Sequence, residues 1–241
     1  MRPDGRVAAQ MRPLTAEPSA LSRADGSARF SQGATEVIVS VYGPCEVKRA
    51  REQSDTATLE LVVRPRAGLP SPVDRELEQL ICQTLQHVVL GALHPRSAIS
   101  LVVQVLADDG ALIATALHGA CVALMHAGVP LRGMIGGCAL AVLSDGAMLL
   151  DPCAEEEAAA QAVVTLAYLV RQLSDGTERL LLLSHMRGVV APAQYELCQH
   201  AAQEAALCAT QFFRQALTRI VRPLAMEEPH RGGTASAGEV R

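Results

Sequence analysis

Tryptophan is absent from this 241-residue chain, and phenylalanine and tyrosine number three each. Any nucleic-acid surface it carries must therefore work through charge, because base-stacking platforms need aromatic rings. The positive excess of a free-standing nucleic-acid binder is missing too: 21 Lys and Arg stand against 25 Asp and Glu, a formal net charge of -4. That balance leaves room for a subunit that contributes a basic patch. The first half is the better place for one, since residues 1–133 carry 13 basic and 13 acidic side chains and residues 134–241 carry 8 and 12. The seven cysteines are scattered, with no Cys-x-x-Cys pair, which predicts reduced core thiols in the cytosol or nucleus rather than a zinc or dithiol site. No apolar run approaches the roughly 20 residues of a membrane span, and MRPDGRVAAQ lacks the apolar block of a signal peptide. A soluble, intracellular protein with no membrane partner is expected.

With 49% apolar residues the chain can bury a sizeable core. The stretch from His94 to Gly133 predicts its centre. Ala98 to Leu106 is apolar and rich in β-branched residues, and Asp108-Asp109-Gly110 breaks it, so it reads as a strand and a tight turn. From Ala111 to Ala127 apolar residues cover nearly all faces of a helical wheel, and Gly128 stands where a left-handed cap belongs. A second apolar run, Met134 to Leu143, completes a strand, helix, strand unit with the helix packed on the sheet.

Around that unit, residues 1–35 suggest turns at Asp4-Gly5 and Asp25-Gly26 between short strands, and residues 36–42 and 56–63 read as strands. Arg75 to Leu90 forms an amphipathic helix with Gln79 and Gln83 on its outer face. Strands are expected at 147–150, 163–170 and 179–184, the last two around a turn at Asp175-Gly176, and a long helix from 193 to 221 that Pro223 ends. The fold class is mixed α/β, with two similar strand-helix halves packed as one domain over residues 1–222 and a disordered tail over 223–241.

Four phrases, Arg23-Ala24-Asp25-Gly26-Ser27-Ala28, Val41-Tyr42-Gly43-Pro44, His94-Pro95-Arg96-Ser97 and Gly119 to Leu124 running on to Pro130, together resemble the RNase PH family, most of all the ring subunits of the eukaryotic RNA exosome. The resemblance covers roughly residues 20–222. It implies an RNase PH-like fold, a ring shared with other subunits of the same kind through which RNA is threaded, and residence in nucleus, nucleolus and cytoplasm. It also implies a test for activity, because the phosphorolytic members hold phosphate with a Thr-Arg or Ser-Arg pair just after the Asp-Gly turn. Here that place reads Gly110-Ala111-Leu112-Ile113, without hydroxyl or guanidinium. The helix that supplies a further Arg in the enzymes has Gln79 and Gln83. A non-catalytic, RNA-guiding subunit with no cofactor is the expectation.

Two sets of residues are candidates for a site. Asp151 and Glu157 keep the six-residue spacing of two acids in the active members, with Glu155 and Glu156 beside them. They define an alternative, a Mg²⁺-dependent hydrolytic nuclease acting as a homodimer outside the ring, against which stands the plain reading of an acidic helix start. The basic residues Lys48, Arg49, Arg51, Arg64, Arg66 and Arg96 fall near strand ends, where loops could present them to RNA phosphates on one rim. The pairs His118/His126 and Ser184/His185 lack a third ligand and a workable geometry respectively, and Gly136-Gly137 is too short for a phosphate loop.

Overall fold

A computed structural model describes residues 2, 4–174 and 176–226, with side chains in the last helix described as far as residue 218. In chain order the elements are β1 (Leu14–Pro18), β2 (Gly26–Gln32), β3 (Thr35–Glu46), β4 (Thr58–Arg64), α1 (Pro72–Val88), β5 (Ser97–Ala107), α2 (Leu112–His126), β6 (Met134–Val142), β7 (Met148–Leu150), α3 (Ala154–Ala159), β8 (Ala162–Leu173), β9 (Gly176–Gly188) and α4 (Pro192–Met226). Each half contributes one sheet and two helices. The first sheet runs β1-β2-β3-β5-β4 and the second β7-β6-β8-β9. Among the described residues only β4 and β5 pair in parallel, and α1 is the crossover that such a pair requires.

The central unit is built differently from its expected form. Its two strands, β5 and β6, lie in different sheets, and α2 packs against β2 and β3 of one and β6 and β8 of the other. A helix that is apolar on all sides cannot bury itself on one sheet, so it becomes the layer between two. From Ala114 to Leu124 every residue of α2 is buried. Small residues allow the close approach. A methyl on Gly119 would lie 3.0 Å from Val37, and one on Gly26 would lie 2.4 Å from Ala127.

Strand β6 shows why its sequence does not alternate. Gly136 lies against Ala206 of α4, whereas its neighbour Gly137 lies against Ala114 of α2. Both faces of the strand are covered, so all positions from Ile135 to Val142 are buried. Helix α4 closes the structure with Phe213, which is fully buried and meets the rings of Phe30 at 5.7 Å and His118 at 5.2 Å, edge to face.

Three boundaries depart from expectation. Helix α1 begins at Pro72 rather than Arg75, because Ser71 and Asp74 form a reciprocal capping box with proline in the first turn. Helix α4 continues through Pro223 to Met226. Proline removes one bond of the ladder without forbidding the others. The expected tail beyond that point and Asp175 of the predicted turn lie outside the described residues. The cysteines divide: Cys121, Cys138 and Cys198 are core residues, and burial pushes the Cys121 thiol up to about 11, whereas Cys45 and Cys208 are exposed. Among the described residues no helix is long and apolar enough to cross a membrane.

Buried His118 carries a testable consequence. Its Nε2 accepts the Gly137 N–H at 2.8 Å, Nδ1 has no partner among the described residues, and burial lowers its pKa to about 4. The unfolded chain takes up a proton near the ordinary 6.5 that the folded ring refuses. This contribution to stability is thus complete above pH 6.5 and is lost as pH falls from there to about 4, a loss of roughly 3 kcal/mol. Urea midpoints measured across that window should fall in the native chain and fall less in His118→Gln.

Candidate functional site

The turn between β5 and α2 is where the two halves meet. Gly110 has φ +83, and a Cβ there would sit 2.7 Å from the Pro152 carbonyl oxygen, so only glycine fits. Ala111 follows in the left-handed region at φ 53 and provides no side-chain cap for α2. The anion at this helix start is internal: Glu157 of α3 accepts the Ala111 N–H at 2.7 Å through Oε1, and its Oε2 accepts from Arg187 of β9 at 3.0 Å. A carboxylate so placed satisfies an orphan donor and favours the helix dipole.

Asp151 lies on the other side of the same turn and is engaged differently. It is fully buried, with φ 52, and both carboxylate oxygens are held by Arg12: Oδ1 accepts from Nη2 at 2.7 Å, and Oδ2 accepts from Nε at 3.1 Å and from the Arg12 backbone N–H at 2.7 Å. The same guanidinium donates to the carbonyls of Asp109 and Gly110, at 2.7 and 3.1 Å. Arg2 forms a second fork on Glu156, with both bonds at 2.8 Å, and holds that carboxyl below the usual range. The N-terminal segment is thereby strapped across β7, the start of α3 and the turn. These arginines are visible in the sequence, but nothing local indicates partners some 140 residues away.

This geometry does not suit a divalent cation at the Asp151–Glu157 pair. Asp151 has no oxygen open to solvent and Arg12 already neutralises it, while Glu157 is committed to Ala111 and Arg187. Among the described residues no three His, Cys, Asp or Glu side chains are placed to hold a metal ion. His118 sits in the core, and the Nδ1 of His126 accepts the Ser27 N–H at 3.2 Å. Ser184 and His185 also part company. The Ser184 hydroxyl meets the Tyr195 hydroxyl at 2.8 Å, whereas His185 lies 3.4 Å from Glu76, as neighbouring residues on a strand must face opposite ways.

Two adjoining clefts, of about 480 and 190 Å³, open beside the turn and share Asp108, Gly110, Glu157 and Arg187 in their walls. Asp151 lines neither. Helix α1 contributes Val73, Glu76, Leu77 and Leu80, and the exposed Gln79 and Gln83 are elsewhere on its surface. Arg187 is the one arginine or lysine among the lining residues, and Glu157 engages it. The clefts are thus acidic and partly apolar, a poor setting for a phosphate dianion.

The basic residues do not form one rim. Thr58 pairs with Ala98 and Arg64 with Gln104 in the parallel β4–β5 ladder. Arg96, Lys48 and Arg49 therefore lie near one end of the sheet and Arg64 and Arg66 near the other, about 20 Å away along the strand. Arg64 belongs to β4 itself, and Lys48 and Arg49 lead into a short 3-10 turn. All five are exposed. Arg96 approaches Glu52 at 3.8 Å, and Arg51 pairs with Glu60 at 2.9 Å.

Comparison with known proteins matches residues 10–130 to domain 1 of the 3′ exoribonuclease (RNase PH) family and residues 133–205 to domain 2. The exosome complex exonuclease RRP46 homolog of Oryza sativa subsp. japonica is 33% identical over 231 residues, covering 90% of this chain and 96% of the relative. Its Arabidopsis thaliana counterpart is 31% identical over 228 residues, covering 89% and 94%. The crystal structure of rice Rrp46 superposes with a TM-score of 0.84 at 32% identity, over 90% of this chain and 100% of the other.

Proposed function

Because the chain belongs to the RNase PH family of 3′ exoribonucleases, we propose that it is a non-catalytic subunit of an RNA exosome ring, one that shapes and guides the RNA path for 3′-to-5′ processing and decay. Exosome proteins as relatives support the ring and the RNA. One observation carries the loss of phosphorolysis: the start of α2, where the active members hold phosphate with a hydroxyl and a guanidinium, offers only Ala111 and Leu112, and Arg187, the one arginine or lysine lining the adjoining clefts, is engaged by Glu157. A phosphate dianion would have to displace a fixed negative charge, without a hydroxyl or guanidinium from Ala111 or Leu112 to favour it. Partners in this reading are other RNase PH-like ring subunits and RNA, and its compartments are nucleus, nucleolus and cytoplasm.

The experiment combines the purified chain with RNase PH-like ring subunits, follows co-elution by size, and incubates chain and complex with RNA and inorganic phosphate. Co-elution without release of nucleoside diphosphates attributable to this chain is expected. Phosphate-dependent release by the chain alone would overturn the inert reading. A stable monomer that ignores the other subunits would overturn the ring.

RNA guidance makes a separate prediction about the basic residues. In the assembled ring, Arg64→Glu with Arg66→Glu, and Lys48→Glu with Arg49→Glu, should each weaken binding about equally for all sequences. The salt slope should fall by about one for every phosphate that the altered surface no longer engages. Because the two clusters sit at opposite ends of the sheet, RNA running past one end would respond to one pair alone. Affinity measured across a salt series distinguishes the two, and unchanged values for both would take RNA off this surface.

A further inference from the structure

The clefts beside the α2 turn retain shape without the chemistry of a phosphate site. Their walls hold three carboxylates, Asp108, Glu76 and Glu157, against the single guanidinium of Arg187. Asp108 is exposed and among the described residues its side chain makes one hydrogen bond, accepting the Gly110 N–H at 3.2 Å. Interleaved with them in the lining are Val73, Leu77, Leu80, Leu112 and Ile113, of which Val73 is 70% exposed. Thr165 of β8, 5% exposed, also lines the cleft, and its hydroxyl makes no hydrogen bond among the described residues.

Nucleic acid does not complement this surface, because its phosphates would face three carboxylates. Peptide does. A guanidinium or ammonium answers the acids, an apolar side chain covers the exposed wall, and a backbone or guanidinium N–H can donate to Thr165. We propose that this cleft is a docking groove for an extended segment of a partner protein that presents an arginine or lysine beside an apolar residue. The inference rests on the reading that the cleft no longer serves phosphorolysis, and it gives the vacated space a binding role.

The test uses the full chain and a fluorescein-labelled hexapeptide, LRVLRV, with LEVLEV and GRGGRG as counterparts and oligoadenylate of about 20 nucleotides as competitor, followed by anisotropy. LRVLRV should bind more tightly than either counterpart, and oligoadenylate should not displace it. Asp108→Lys and Val73→Lys, both at exposed positions and checked for folding by circular dichroism, should each weaken it by about five-fold or more. No binding of LRVLRV at about 1 mM, binding indifferent to both variants, GRGGRG binding as tightly as LRVLRV, or displacement by oligoadenylate would each overturn the proposal. Those outcomes leave the phosphorolysis assay untouched. Phosphate-dependent release of nucleoside diphosphates would instead remove the premise.

Discussion

Arg12→Ala should destabilise the folded chain by about 3–5 kcal/mol, a large share of what a domain of this kind has. The substitution takes the guanidinium from the fully buried Asp151 carboxylate, leaving it the residue-12 backbone N–H and Arg6 at 3.8 Å, and removes the side-chain donor from the Asp109 carbonyl and one of two side-chain donors from that of Gly110. A buried pair is worth little against an apolar substitute, yet breaking it from one side leaves an uncompensated charge. The single changes Arg12→Ala and Asp151→Ala should therefore each cost more than Arg12→Met combined with Asp151→Leu, a difference that urea denaturation of the three variants would read. A loss below about 1 kcal/mol for either single change would show that water enters the site and hydrates the survivor.

The second large effect is expected at Phe213. Its truncation to alanine should cost about 3–5 kcal/mol, because the ring is fully buried and the rings of Phe30, His118 and Phe212 pack edge to face against it. The cavity would open beside His118. Two measurements then move together: unfolding occurs at lower urea, and the His118 pKa rises from about 4 toward the ordinary 6.5 as water reaches the imidazole. Hydrogen exchange would show α4 losing protection before β3 or β5. An unchanged His118 titration would mean that the site collapses instead of opening.

How much of this is written locally can be judged element by element. The α2 helix, its left-handed Gly128 cap and the apolar strands on either side follow from periodicity and from glycine's conformational freedom, and Gly128 has φ +72. That α2 lies between two sheets does not follow, because a fully apolar helix reports how much of it is buried but not by what. Strand β1, with the sequence LTAEP and alternate half-exposure, gives too short and too mild a signal to be distinguished from loop. At the candidate site the missing phosphate pair is legible in Ala111 and Leu112. The roles of Glu157 and Asp151 are not. Their six-residue spacing treats them as equals, while the fold sends one to a helix start and the other beneath an arginine contributed from residue 12. The single basic rim fails for a similar reason, since chain proximity to strand ends says nothing about which end.

The N-terminal strap also sets a clock on synthesis. Arg12 and Asp151 are 139 positions apart, and Arg2 and Glu156 are 154 apart. A ribosome adding about 5–20 residues per second needs roughly 7–30 s after Arg12 is made before Asp151 exists. Throughout that interval Arg12 lacks the carboxylate of Asp151 and Arg2 that of Glu156, although β2, β3 and β5 can already pair. The beginning of the chain is thus among the last parts to find its place, and a nascent chain stalled before residue 151 would display its arginine-rich start to the surroundings.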